Sequence, residues 1–411
     1  MISVAEASAR ILDGIQRLPA EMVATEESAG RVLAERIVAS TTSPPWDNSS
    51  MDGYAIRSAD IGSETLRVVE TIAAGSFASR ALEAGEAMRI MTGAPVPENA
   101  DTVIRKENTD DGIDVVTIRD IRDSGKNVRK AGEDFCAGDV LFDAGQKIGI
   151  PHIGVLASAG VRSVFVYRSP RVAIVSSGDE LVELNDYRPE MAGQKIVSAN
   201  SITLAALVRE AGGEPVNIGI ARDDLASMKT KFEEAASCDL IVTSAGISVG
   251  DHDHVRDAIT ELGGTIDFWK VRMRPGAPLG FGSLRGVPWV GLSGNPVSAI
   301  VTFEVFVRPA IRKMRGLTTL FRKTLSVTLG EPITLAASLM HFLRVVISQR
   351  EDNSYVAHLA GSQSSAVLTA MARANALLVV PGDRLSLDAG EQLIAIPVDA
   401  DQESVTTLVL S

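Results

Sequence analysis

The sequence predicts a multidomain α/β-plus-β protein: a doubly wound, mostly parallel α/β domain, a small all-β module, a linking α+β region and a C-terminal, barrel-like β domain. Three observations carry this. Between residues 169 and 316, strand-like and helix-like stretches alternate, the rhythm of a sheet covered by helices on both faces. From about residue 66 to 140, and again from about 324, short apolar runs are separated by Gly, Pro, Asn and Asp, as in β modules. At 411 residues the chain exceeds what one hydrophobic core organises.

Val4, Ala7, Ile11, Leu12 and Ile15 recur at helical spacing and predict an amphipathic first helix ending before Pro19. A short helix is expected over 30–38. The run TTSPPWDNSSMD, 41–52, sustains neither periodicity and marks a loop or boundary. Beyond it, LRVVETI, DTVIRKE and DVVTI are strands of the small β module, and GIPHIGVLASAG within 141–168 is a short Gly-flanked helix. In the α/β segment the strands are RVAIVSS, PVNIGIA, DLIVTSA, TIDFWKVRM, PLGFGSL and WVGLS. Its helices are SITLAALVREAG, LASMKTKFEEAAS, DHVRDAITELG and PVSAIVTFEVFVRPAIRKM. KTLSVTL, FLRVVISQ, ALLVVPG and QLIAIPV are the last strands, with one short helix near 367–373. The expected division is 1–42 with 139–168 as a helical linking region whose first helix packs on the α/β domain, 43–138 as the small β domain, 169–322 as the α/β domain and 323–411 as the C-terminal β domain.

With 52 acidic against 40 basic side chains and a formal charge of −12, a general affinity for nucleic acid or anionic membrane is disfavoured, so an anionic ligand must be gripped locally. The two cysteines, Cys136 and Cys238, offer neither a disulfide framework nor a Cys-pair zinc site, and suit a reducing compartment. No export signal or membrane-spanning run is apparent, so a cytoplasmic protein is expected.

Ligands of doubly wound sheets bind beyond the carboxyl ends of the strands. Three turns there stand out. Ser244-Ala245-Gly246-Ile247-Ser248-Val249-Gly250 has the glycines and the following helix start of a phosphate cradle. Ser293-Gly294-Asn295-Pro296-Val297-Ser298 places proline at a helix start with Asn295 as N-cap. Ser176-Ser177-Gly178-Asp179-Glu180 carries carboxylates, which implies a cation or a ligand hydroxyl. None is a P-loop or a GxGxxG turn. Asp223, Asp224, Asp251 and Asp253 sit near the same strand ends and suit Mg2+, which keeps waters and takes few protein oxygens; Asp224 reads better as an N-cap. His252 and His254 lack a third His or Cys for a transition metal. Lys270, Arg272 and Arg274 alternate along WKVRMRP and, in a strand, share one face as an anion site. Asp52 in WDNSSMDGYA and Thr92 in RIMTGAPVPENAD occupy loops of the β module.

Taken in order, WDNSSMDGYA, MTGAPVPENADTVI, VRKAGEDF, SSGDEL, GIARDD, SAGISVGDHD, WKVRMRPGAPLGFG and LSGNPVSA resemble the molybdopterin molybdenumtransferase family, bacterial MoeA and the E domain of gephyrin, over nearly the whole chain. The resemblance implies a four-domain homodimer that inserts molybdate into adenylylated molybdopterin and releases AMP with Mg2+. It further implies a cleft shared between subunits, and a molybdopterin adenylyltransferase and molybdoenzyme clients as partners. By position, Asp52, Thr92, Arg129, Asp134, Glu180, Asp223, Asp253 and Lys270 match functional positions, with Asp223 and Asp253 as metal ligands; Arg344 and Ser365 match residues associated with oxyanion contacts. Two departures stand out. The family's KPGKP is here Arg274-Pro275-Gly276-Ala277-Pro278, losing a lysine, and its LPGNP is Leu292-Ser293-Gly294-Asn295-Pro296. They leave a non-catalytic molybdopterin carrier as the alternative, and molybdenum and tungsten are not distinguished.

Overall fold

The computed structural model describes residues 1–246 and 254–398. The chain divides into two compact units, 22–166 on the one hand and 1–21 with 167–411 on the other.

In the 22–166 unit a five-stranded sheet runs in the order Thr102–Arg105, Gly53–Ile56, Glu86–Ile90, Leu66–Ile72, Val115–Val116. Alternation along Gly53–Ile56 sends Tyr54 and Ile56 into one apolar cluster and Ala55 into another, so the sheet is buried on both faces. The helix Ile150–Ser158 forms as the Gly-flanked run predicts. The helix expected over 30–38 does not form. Val32 and Leu33 bridge to Lys147 and Val166, and Ile37–Val38 pairs antiparallel with Val140–Phe142. Leu33 and Ile37 thereby join Ile148, Leu156, Val164 and Val166 in one core, and burial against partners distant in sequence overrides local propensity.

In the other unit a six-stranded sheet has the order Glu214–Ala221, Arg171–Ser177, Leu240–Ser244, Val287–Leu292, Pro278–Leu284, Thr265–Lys270. The first four strands are parallel and the next two join by antiparallel pairing. The near-continuous apolar runs follow from burial on both faces. Val172 and Ile174 face the helices Ala199–Ala211 and Pro296–Met314 together with the first helix, Val4–Asp13, through Ala7 and Ile11, and Ile15 just beyond it. Ala173 and Val175 face Leu225–Ala235 and His254–Glu261 on the other side. The helix after Pro296 widens to π geometry over Phe303–Val307, just before Pro309, which cannot donate back to the carbonyl four residues earlier.

The strand expected over TIDFWKVRM breaks. Thr265–Lys270 ends at the sheet edge, the chain bends at Arg272, and Met273–Arg274 leaves to pair in parallel with Met340–His341. Lys270, Arg272 and Arg274 therefore do not share one strand face, because period-two alternation holds only within an unbroken strand. The C-terminal strands Leu325–Leu329, Met340–Gln349, Tyr355–Leu359, Ala376–Val380 and Gln392–Pro397 close into a five-strand barrel around Val327, Val345 and Leu378. Among the described residues no helix is long and apolar enough to cross a membrane.

Candidate functional site

At the carboxyl ends of the parallel strands, a cavity of about 560 Å³ opens between the turns after Arg171–Ser177, Leu240–Ser244 and Val287–Leu292. It gathers Ser176, Ser177, Glu180, Ser244, Gly246, Gly294, Asn295 and Pro296. Among the described residues Glu180 is the only charged side chain in this lining. Two helix N-termini, at Ala199 and Pro296, border it and supply positive potential without a cation.

Local geometry explains the residue types. Gly246 has φ +74, and a Cβ there would lie 2.4 Å from a Val255 methyl, so the turn closes only on glycine. Ala245 holds φ +78 without that freedom, a strained residue at the rim of the cavity. Its main-chain N–H donates to the Leu292 carbonyl at 3.0 Å, which locks this turn to the next strand end. Asn295 is the N-cap of the helix after it but makes no side-chain capping bond.

A residue that sequence reasoning passed over binds these turns together. Asn200 Nδ2 donates to Ser244 Oγ at 2.7 Å and to the Gly294 carbonyl at 2.8 Å. Nearby, Ser198 Oγ donates to Ser176 Oγ at 3.0 Å, both buried. The available signal was the Ser198-Ala199-Asn200-Ser201 helix start, a Ser/Asn opening of the kind noticed at Asn295.

A second cavity, about 740 Å³, adjoins the first and shares Pro278, Ser293 and Asn295 with it. Its chemistry is opposite. Arg274, His341 and Arg344 line it, with Ser298, Ser364 and Ser365, and among the described residues no carboxylate does. Arg344 is 1% exposed. Its Nη2 donates to the carbonyls of Ser362 at 2.9 Å and Ser364 at 3.2 Å, while Nε has no hydrogen-bond partner. Burial pushes its guanidinium pKa down, with no acid to offset it. Arg344 therefore leaves unpaired positive charge in the lining of this cavity. Ala277, where the expected lysine is missing, lies in the same wall.

Asp223 stands outside both linings. It meets Asp179 across the ends of Arg171–Ser177 and Glu214–Ala221, each main-chain N–H donating to the other's carboxylate, at 3.3 and 3.4 Å. Lys195 donates to the Asp179 carbonyl. Asp224 caps the next helix through the Ser227 N–H at 2.8 Å. Lys270 lines neither cavity. Ser248, Gly250 and Asp253, with Asp251 and His252, lie outside the described residues.

In the 22–166 unit, Asp52 and Thr92 come together. The Thr92 N–H and hydroxyl both donate to Asp52 Oδ1 at 2.7 Å. The backbone bond first, then the hydroxyl bond, holds the Asp52 carboxyl below the usual carboxylate range, hence ionised. Gly53, which follows, starts a strand packed so closely on Ile104 that a Cβ would lie 1.9 Å from the Ile104 carbonyl. Asn48–Ser49 joins Thr92 to Arg129: Gly93 N–H donates to the Ser49 carbonyl, and Asn48 pairs with Arg129 in the strand Val128–Arg129. The Asp134 N–H donates to the Ser43 carbonyl at 3.0 Å, on the same stretch of chain. All four side chains are exposed.

Residues 2–160 match the MoeA N-terminal region (domain I and II), 173–313 a probable molybdopterin binding domain, and 326–398 the MoeA C-terminal region (domain IV). The chain is 38% identical over 400 residues to molybdopterin molybdenumtransferase 2 of Mycobacterium tuberculosis, covering 92% of this chain and 97% of that one. To the molybdopterin molybdenumtransferase of Haemophilus influenzae it is 33% identical over 407 residues, 97% and 98% of the two chains. Two solved structures of the molybdopterin biosynthesis MoeA protein from Pyrococcus horikoshii align with TM-scores of 0.82 and 0.80 at 29% and 28% identity. They cover 97% and 96% of this chain and 100% of theirs.

Proposed function

The chain belongs to the molybdopterin molybdenumtransferase family of molybdenum cofactor biosynthesis, and on that premise we propose that it inserts molybdate into adenylylated molybdopterin and releases AMP in a Mg2+-dependent step. The pair of adjoining cavities carries this reading: one lined by hydroxyls, Glu180 and helix N-termini, the other basic and free of carboxylates among the described residues, with a shared wall. The first suits phosphate and ribose oxygens, which the N–H groups at Gly294 and Gly246 and the hydroxyls of Ser176, Ser177 and Ser244 can bind. The second suits a tetrahedral oxyanion beside Arg274, Arg344 and Ser365.

The oxygen donors fit Mg2+ rather than a softer metal. Among the described residues no cluster of three or more ligating side chains forms, but Mg2+ keeps waters and takes phosphate oxygens from its ligand, so few protein carboxylates suffice. Asp223, with Asp253, would hold it, with Glu180 facing the phosphates; the ion would supply positive charge to the phosphoanhydride as it is cleaved. Asp52 acts as an ionised carboxylate that Thr92 fixes in place. In this reading Asp52, Thr92, Arg129 and Asp134 of a second copy complete the cleft, so the functional unit is a homodimer. A molybdopterin adenylyltransferase supplies the substrate and molybdoenzymes take the product.

The test mixes purified protein, adenylylated molybdopterin, molybdate and Mg2+ and follows AMP. Turnover is expected from the wild type, and Asp52→Asn is expected to lower kcat by at least about 100-fold. Tight molybdopterin binding without AMP release would replace this reading with that of a non-catalytic carrier, which Ala277 in the basic cavity and Ser293 in the shared wall favour.

A further inference from the structure

We propose that Gln363 is a positioning residue for oxyanion binding: its side-chain amide clasps the strand that carries Arg344 and so holds the serine loop 361–365 where its carbonyls orient the guanidinium. The inference rests on the molybdate-handling reading above and adds a residue to it.

The antiparallel ladder between Met340–Gln349 and Tyr355–Leu359 ends with Val345 opposite Leu359. One step further, Ala360 still donates its N–H to the Arg344 carbonyl at 3.0 Å. In a continued ladder the Ala360 carbonyl would accept the Arg344 N–H in return. Instead the chain turns away at Gly361, with φ +119, and the Gln363 side chain takes over. Its Oε1 accepts the Arg344 main-chain N–H at 2.9 Å, and its Nε2 donates to the Arg344 and Gly361 carbonyls, each at 3.0 Å. These partners fix which way the amide points, since an N–H only donates and a carbonyl only accepts. Arg344 is buried, and a buried main-chain N–H without an acceptor is costly, so the position calls for an amide of this length.

The clasp runs both ways. On either side of Gln363, the carbonyls of Ser362 and Ser364 accept from Arg344 Nη2 at 2.9 and 3.2 Å. The loop whose side chain holds the Arg344 backbone thus has its own backbone on the Arg344 guanidinium. Two acceptors on one nitrogen set the plane of that group, and Arg344, Gln363, Ser364 and Ser365 all line the basic cavity. The far end of the loop is anchored as well: the Ser365 carbonyl accepts the Val297 N–H at 3.2 Å, at the start of the helix Pro296–Thr302, whose N-cap side chain makes no capping bond. Without the Gln363 amide, the Ser362 and Ser364 carbonyls lose the brace between them. Binding an oxyanion then carries the cost of ordering the loop and the guanidinium, which Gln363 removes in advance.

Titration calorimetry of the full-length chain with sodium molybdate tests this. Gln363→Met, similar in length but without the amide, is expected to bind about tenfold more weakly than wild type, the scale of one charge-assisted contact. A general loss of structure would weaken binding by the same factor whatever stands at position 344. Arg344→Lys keeps a charge, and measurable binding, but lacks the planar fork that the loop orients. In that background Gln363→Met is therefore expected to change the affinity by less than about twofold. Gln363→Asn, one methylene short of the Arg344 backbone, is expected to behave as Gln363→Met and decides the matter if that variant does not fold. Wild-type affinity in Gln363→Met or Gln363→Asn, or an equal loss in the wild-type and Arg344→Lys backgrounds, overturns the role of Gln363 alone. No molybdate binding by folded wild type overturns this inference and the molybdate reading together.

Discussion

Arg344→Met separates the two things that a buried cation does. The guanidinium is 1% exposed, its Nε lacks a partner, and no carboxylate balances it. Burying an unpaired charge costs several kcal/mol. Against this stand two charge-assisted bonds, to Ser362 and Ser364, which return about 1.5–3 kcal/mol each. The balance is close to zero, so an apolar side chain of similar length should leave the free protein within about 1 kcal/mol of wild type or more stable. Wild type in molybdate at 100 times its Kd gains about 2.7 kcal/mol. At about 2–4 °C per kcal/mol for a unit of this size, that is a rise of about 5–10 °C in Tm. Thermal unfolding with and without molybdate should show that rise in wild type and none in Arg344→Met. A loss of more than about 3 kcal/mol without ligand would make the guanidinium structural. A persisting molybdate-induced rise would remove Arg344 from the site.

Asn200→Ala removes two bonds, to Ser244 and Gly294, and should cost about 2 kcal/mol of stability; because it loosens the cleft without touching the reacting groups, KM for adenylylated molybdopterin should rise about tenfold while kcat changes little, read by steady-state AMP release. For Asp123, burial would raise the carboxyl pKa, but bonds from the Arg105 side chain and backbone, Asn108 and Asn127 outweigh it and hold it at about 2. A depressed folded-state value means that the stabilisation is complete above the unfolded value of about 4 and lost as pH falls towards about 2, an amount of about 2 kcal/mol. Urea unfolding between about pH 5 and pH 2 should show that slope in wild type and a flatter one in Asp123→Asn; equal slopes would refute the assignment.

Local signals were enough where the structure is local. A short continuous apolar run placed the strand Arg171–Ser177, which is buried on both faces, and helical spacing placed the helices Val4–Asp13 and Ala199–Ala211. The stretch 30–38 failed because its strand character comes from partners over 100 residues away, at Val140–Phe142, Lys147 and Val166. The strand-end turns were visible as Gly, Ser and Asn clusters, but Asn200 was not: an asparagine near a helix start looks the same whether it faces solvent or ties two loops together.

The basic cavity shows most clearly what spacing could not reveal. Reading Lys270, Arg272 and Arg274 as one strand face fails, because the strand is not continuous. The bend at Arg272 carries Arg274 away from the α/β sheet to the barrel, where it meets His341 and Arg344, some seventy residues on. The two departures from the family pattern then differ in kind. Ser293 replaces a proline, yet its Oγ accepts the Asn295 N–H at 3.3 Å and so braces the turn that a ring would have stiffened. Ala277 removes a charge, and no backbone contact can return one. The positive charge left in that lining comes from Arg274 and the buried Arg344.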